Sequence, residues 1–164
     1  TSTNEAQKVD LLSNQGFAVG ANAICETIIN VVSDGSGSAV DASIGLANGT
    51  HATDADSITE SLFVHLDANN ANINLESDDG TTEVAATDST VDYTEGTPFE
   101  VWFDLRNPAD IQVYINGANV LPSSVFKLDA ATGPLKQLVH VEKTSSTDTY
   151  ELDIEFMGTR IAQQ

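Results

Sequence analysis

The chain has 164 residues, with six basic against 25 acidic side chains and a net charge of -19. That length suits one domain, and a 40% apolar content is enough for a real core. The charge excludes nucleic acid and anionic membrane as partners, because both need clustered Lys and Arg. It fits a highly soluble protein, a saline environment, a cationic partner surface or divalent-cation binding. Cys25 is the only cysteine, so no internal disulfide can form. Its setting in Ala23-Ile24-Cys25 points to a buried, inert thiol. No stretch approaches the roughly 18 apolar residues of a membrane helix. The polar start TSTNEAQK has no hydrophobic signal core. Thr1 is consistent with excision of an initiator Met, so cytoplasmic synthesis is expected.

Residues 1–16 are polar apart from Val9, Leu11 and Leu12, and read as an arm able to make one short pairing. Ile24, Ile28, Ile29, Val31 and Val32 then mark a β-rich segment, broken by the turn Asp34-Gly35-Ser36-Gly37-Ser38. Val40 to Leu46 alternates with period two and reads as a strand. A small, acidic loop from Asn48 to Asp56 follows, with one weak helical turn around Asp54 to Leu62. Leu62, Val64 and Leu66 form one face of the next strand, with Phe63 and His65 on the other. Ile73 and Leu75 mark another, turning at Ser77-Asp78-Asp79-Gly80, where Asp-Gly is a strong hairpin signal.

Val101, Phe103 and Leu105 alternate with Trp102 and Asp104. Ile111, Val113 and Ile115 run into Asn116-Gly117, with Val120 on the return. Asn-Gly accepts positive φ at both central positions of a type I′ turn, so a tight hairpin is predicted. Leu138 to Glu142 and Tyr150 to Phe156 supply the last two strands, joined by the polar turn of residues 143–148. Short strands with turn signals and no sustained helical period predict an all-β antiparallel sandwich or barrel.

Glu151-Leu-Asp153-Ile-Glu155 places three acids opposite Tyr150, Leu152, Ile154 and Phe156. The spacing resembles the Glu-x-Asp-x-Glu signature of family 16 glycoside hydrolases. That resemblance implies Glu151 as nucleophile, Asp153 as assistant and Glu155 as acid/base. Retaining chemistry needs two carboxyl groups about 5–5.5 Å apart. The strand is nearly C-terminal, however, and the chain is poor in aromatic platforms, with one Trp and three Tyr. The acids therefore read as the solvent face of the last strand, and no catalytic residue is assigned.

Asp54-x-Asp56, Asp67-x-Asn69-Asn70 and Asp78-Asp79 are oxygen-rich loops that offer calcium ligands, although none has EF-hand spacing. They read as solvated acidic loops, with Asp54, Asp56, Asp78 and Asp79 as the calcium candidates. His51, His65 and His140 are scattered and show no zinc-site spacing. Ser43 and Ser61 lie in no nucleophile elbow, no phosphate-binding glycine loop occurs, and no cofactor is expected. Asn48-Gly49-Thr50 is a glycosylation sequon, read as silent without an export signal. Trp102 with Phe103 reads as a core anchor rather than a ligand platform.

Val40 to Ala162 resembles the concanavalin-A-like (laminin-G-like) jelly-roll proteins of tailed-bacteriophage virions. The resemblance rests on GLANGTHATDADSITESLFVHL, ESDDGTTEVAATDSTV, FEVWFDLRNPADIQVYINGANV and LVHVEKTSSTDTYELDIEFMGTRIA, in that order. It implies a jelly-roll β-sandwich over 17–164 preceded by an N-terminal arm over 1–16. It also implies a capsid cement or decoration protein, a homotrimer on the capsid exterior that bridges neighbouring major capsid proteins. The same fold hosts lectins, so a glycan-binding module on the virion surface is the alternative. A hydrolase acting through Glu151 and Glu155 is the more remote one.

Overall fold

The computed structural model describes residues 4–35 and 37–161. Ser36, in the turn expected at 34–38, lies outside them, as do the first three and last three residues. Among the described residues the chain forms strands β1 (Glu5–Phe17), β2 (Ala23–Ser33), β3 (Val40–Ala47), β4 (Ser61–Asp67), β5 (Asn72–Asp78) and β6 (Glu83–Asp92). These are followed by β7 (Phe99–Asp104), β8 (Gln112–Ile115), β9 (Ala118–Val120), β10 (Leu135–Ser146) and β11 (Glu151–Ile161). One six-stranded sheet runs β1-β10-β3-β4-β5-β6, and a five-stranded sheet runs β11-β2-β7-β8-β9. Every pairing is antiparallel, and the two sheets form a jelly-roll sandwich.

The period-two pattern builds the core. Leu62, Val64 and Leu66 of β4, Ala42, Ile44 and Leu46 of β3, and Ile73 and Leu75 of β5 turn inward from the six-stranded sheet. Cys25, Ile29 and Val31 of β2, Val101 and Phe103 of β7, and Val113 and Ile115 of β8 meet them from the other sheet. Each such side chain contributes roughly 1.5–3 kcal/mol on full burial. A second apolar cluster lies on the outward face of the six-stranded sheet. There Ala55 and Ile58 cover Ala47, Phe63 and Leu138. Phe63 is thereby buried although it points away from the main core.

Two elements differ from the sequence expectation, and a third forms within its expected span. The polar run read as an arm contains β1, which pairs along its length with β10, from Glu5↔Ser146 to Phe17↔Leu135. Its hydrogen bonds come from the backbone, which an apolar-pattern reading does not sense. The segment Glu83–Asp92, for which no strand was expected, is edge strand β6. Its side chains are mostly exposed, and its register with β5 shifts twice. The weak helical turn is a single 3-10 turn at Ala55–Ser57.

The Asn116-Gly117 hairpin forms as expected, with φ of 50° and 79° and the pair Ile115↔Ala118 closing it. Asn116 Oδ1 also accepts a 3.0 Å hydrogen bond from the Glu100 amide, tying the turn to β7. Gly117→Ala is expected to cost about 1 kcal/mol, because a Cβ disfavours positive φ. Urea denaturation at neutral pH reads this directly, and an unchanged midpoint would contradict the turn assignment.

Candidate functional site

Strand register organises the outward face of the six-stranded sheet into rows. Asp10, His140, Ser43, His65 and Asn74 face one another in one line across five strands. Beside it run Lys8, Glu142, Asp41 and Asp67. Two histidines that are 75 positions apart by number therefore share one acidic surface.

His140 is saturated. Its Nδ1 lies 2.7 Å from Asp10 Oδ1 and its Nε2 lies 3.1 Å from Glu142 Oε2, with the side chain 1% exposed. Lys8 Nζ also pairs with Asp10 at 2.8 Å. Burial alone would raise the Asp10 pKa, but Lys8 and His140 outweigh it and hold the carboxyl below its ordinary value. This histidine bridges two carboxylates and leaves no ring nitrogen open.

His65 is different. Its Nε2 is 3.1 Å from Asp67 Oδ1, and Asn74 Nδ2 donates to Asp67 Oδ2 at 3.4 Å. Its Nδ1 stands 3.4 Å from Asp56 Oδ1 and 3.5 Å from Glu76 Oε2, and makes no hydrogen bond among the described residues. Glu76 Oε1 is likewise buried without a partner among the described residues. Burial disfavours the imidazolium, yet Asp56 and Glu76 more than reverse this and push His65 up to about 11. His65 holds Asp56 below its ordinary value against the effect of burial. Glu76 is raised by its burial despite His65, and Asp41 by burial and the nearby Asp67.

The oxygen-rich loops divide in use. Asp54 Oδ1 caps the 3-10 turn by accepting from the Asp56 amide at 2.9 Å. Asp78 Oδ1 accepts from the Gly80 amide at 2.8 Å. Asp79 Oδ1 accepts from the Thr81 and Thr82 amides and the Thr81 hydroxyl, all within 2.9 Å. These three acids shape turns. Of the four calcium candidates, Asp56 alone joins a cluster of ligand-type atoms among the described residues, with His65 and Glu76. A second cluster is Asp41, His65 and Asp67. No sequence spacing signals either one. The only local cue is His65-x-Asp67 on the outward face of β4.

Glu151, Asp153 and Glu155 lie exposed on β11, the edge of the other sheet. Register shifts flank Asp153, between Glu151 and Leu152 and between Ile154 and Phe156. The bulge at Glu155 breaks the expected alternation, so Phe156 leaves the side of Leu152 and Ile154. It pairs with outward Ile28 and is 44% exposed. Trp102 and Phe103 separate because adjacent strand residues point to opposite faces. Phe103 is core at 2% exposure, whereas Trp102 is 37% exposed, which corrects its reading as a core anchor. Trp102 lies between Glu26 and Tyr114 across the five-stranded sheet. Cys25 is buried against Thr159, and burial pushes its thiol up to about 11, as expected for an inert group.

No family model and no curated protein matches this chain. Solved structures do. The carbohydrate recognition domain of Emp47p aligns over 99% of this chain and 82% of its own, at TM-score 0.66 and 14% identity. Carbohydrate binding module CBM66 from Bacillus subtilis aligns over 93% and 81%, at TM-score 0.55 and 12% identity. Alginate lyase AlgAT5 of polysaccharide lyase family 7 aligns over 86% and 59%, at TM-score 0.51 and 18% identity. At these identities the likeness shows the fold alone, a jelly-roll β-sandwich of the concanavalin-A-like kind.

Proposed function

We propose that this chain is a non-enzymatic carbohydrate-binding domain that receives a glycan on the outward face of its five-stranded sheet. The observation that carries the reading is Trp102, the single tryptophan, 37% exposed on the outward face of this sheet beside Tyr114. Sugar rings present C–H faces that stack on aromatic side chains, while their hydroxyls need polar partners at the rim. Such partners surround Trp102. Glu26 is held by Arg160 at 2.9 Å, and Gln112 accepts from Asn119 at 3.0 Å. Alignment with a carbohydrate recognition domain and a carbohydrate binding module supports the same reading. A glycan array probed with the full chain tests it. Trp102→Ala is expected to weaken the best ligand at least about tenfold, roughly 1.4 kcal/mol. Binding of no glycan, or equal binding by the variant, sinks the proposal.

A second reading is a cement role on a tailed-phage head: a homotrimer on the capsid exterior bridging neighbouring major capsid proteins. Its structural support is the exposed apolar side chains on two edge strands, Val9 and Leu11 on β1 and Phe156 and Ile161 on β11. An edge strand offers unpaired main-chain groups to a neighbouring subunit. Light scattering during size-exclusion chromatography should then give a trimer, and purified virions should contain the protein. A monomer absent from virions rejects this reading and leaves the first untouched.

A further inference from the structure

We propose that Asp56, His65 and Glu76 form a binding site for a divalent transition-metal ion of the zinc or manganese class. The site lies on the outward face of the six-stranded sheet, away from Trp102 and the proposed glycan surface.

The spacing of the ligand atoms is the first argument. Nδ1 of His65 stands 3.4 Å from Asp56 Oδ1 and 3.5 Å from Glu76 Oε2. Both separations exceed a good hydrogen bond. Two ligands that share one ion at about 2.1 Å in tetrahedral arrangement stand about 3.4 Å apart. All three ligand atoms lie within 4.8 Å of one another, so small rotations would converge them.

The second argument is unmet bonding capacity. The Glu76 side chain is only 9% exposed, and among the described residues its Oε1 has no partner. The buried Nδ1 of His65 also lacks a hydrogen bond among them. Buried polar atoms normally find partners, and orphans call for an explanation. A cation between them supplies one. A cavity of about 50 Å³ adjoins Asp56 and Glu76 and is walled by Ser61, Ser77 and Glu83 to Ala86. That volume holds about one water, which could complete the coordination shell.

The third argument is the outer shell. Metal-bound histidines usually donate their other ring nitrogen to a carboxylate, which fixes tautomer and orientation. Asp67 stands in that role at 3.1 Å from Nε2, steadied by Asn74. The loop carrying Asp56 is held by the Asp54 cap. With a neutral imidazole, the two carboxylate ligands carry a charge that one divalent ion balances. Calcium prefers six to eight oxygen ligands, whereas a nitrogen with two carboxylates suits zinc or manganese.

The alternative occupant is a proton, which would make His65 an imidazolium hub among acids. Calorimetric titration of the chelator-treated full chain with zinc chloride and with manganese chloride separates the two. One equivalent of at least one metal is expected to bind, with a thermal midpoint that rises and returns on adding chelator. Glu76→Gln should weaken that binding about a hundredfold, and Asp67→Asn, which keeps all three ligands, about tenfold. Weak multisite uptake equal in wild type and Glu76→Gln would mark generic attraction to an acidic surface and overturn the site. Calcium binding as tight as zinc would overturn the metal class. Should Glu76→Gln fail to fold, spin-echo spectroscopy of the manganese-loaded wild type decides. Imidazole nitrogen coupling is expected, and its absence rejects the proposal.

Discussion

Glu60→Ala is expected to destabilise the fold by about 2–3 kcal/mol, the loss expected when a charged acceptor is taken from several donors at a partly exposed site. Glu60 sits just before β4 and is buried. Its Oε1 accepts from the Thr132 amide at 2.8 Å and the Thr132 hydroxyl at 3.0 Å. Its Oε2 accepts from the Gly133 amide and Asn48 Nδ2, both at 3.0 Å. One carboxylate therefore joins the end of β3, the start of β4 and the loop before β10. Alanine would leave four donors, on exposed Thr132 and Asn48 and half-buried Gly133, to find water instead. Equilibrium urea denaturation measures the loss, and a cost below about 1 kcal/mol would show that water replaces the carboxylate freely.

The same network predicts a pH dependence. Donation from the Thr132 amide is the largest influence and lowers the Glu60 pKa, against the opposing effect of burial. The folded value thus lies below the ordinary 4.5. The stabilisation is present above that ordinary value and is lost as pH falls through the lower folded value. Glu60→Gln should abolish this part of the acid limb, leaving a variant less stable at pH 6 but closer to wild type near pH 3. Parallel stability profiles across that range would exclude the linkage.

Gly45→Ala is the second large effect, expected at about 3–4 kcal/mol because backbone must move. A Cβ at Gly45 would lie 2.2 Å from the Leu62 carbonyl oxygen and 3.1 Å from the Phe103 ring. Gly45 pairs with Phe63 on β4 and Leu138 on β10, in the middle of the six-stranded sheet. Relief requires separating β3 from β4, which weakens a ladder flanked by core residues Ile44 and Leu62. Thermal denaturation of Gly45→Ala, alone and with Phe103→Leu, identifies the obstacle. Little rescue is expected, since trimming the ring leaves the carbonyl in place. Full rescue would shift the cause from backbone to side chain.

How much was legible in the sequence follows from the range of each signal. The strands of the core announce themselves because burial on one face imposes alternation within a single segment, as in Leu62, Val64 and Leu66. Asn116-Gly117 is legible for the same reason, since positive φ is a property of the residues themselves. β6 was not, because an edge strand with an exposed face needs little apolar patterning. The bulge at Glu155, which turns Phe156 outward, was equally silent.

By itself, then, the sequence determined an all-β chain, most of its inward-facing residues but not the outward Phe156 and Trp102, its hairpin turn, its inert thiol and its strongly acidic surface. Only the tertiary structure decided which polar side chains meet. Asp56, His65 and Glu76 come from a 3-10 turn and two strands, and Glu60 reaches donors more than 70 positions away. Alternation says which face a residue occupies, but pairing order and register say who its neighbours are. Those are set by backbone hydrogen bonds between segments distant in the chain, which leave no periodic trace in either one.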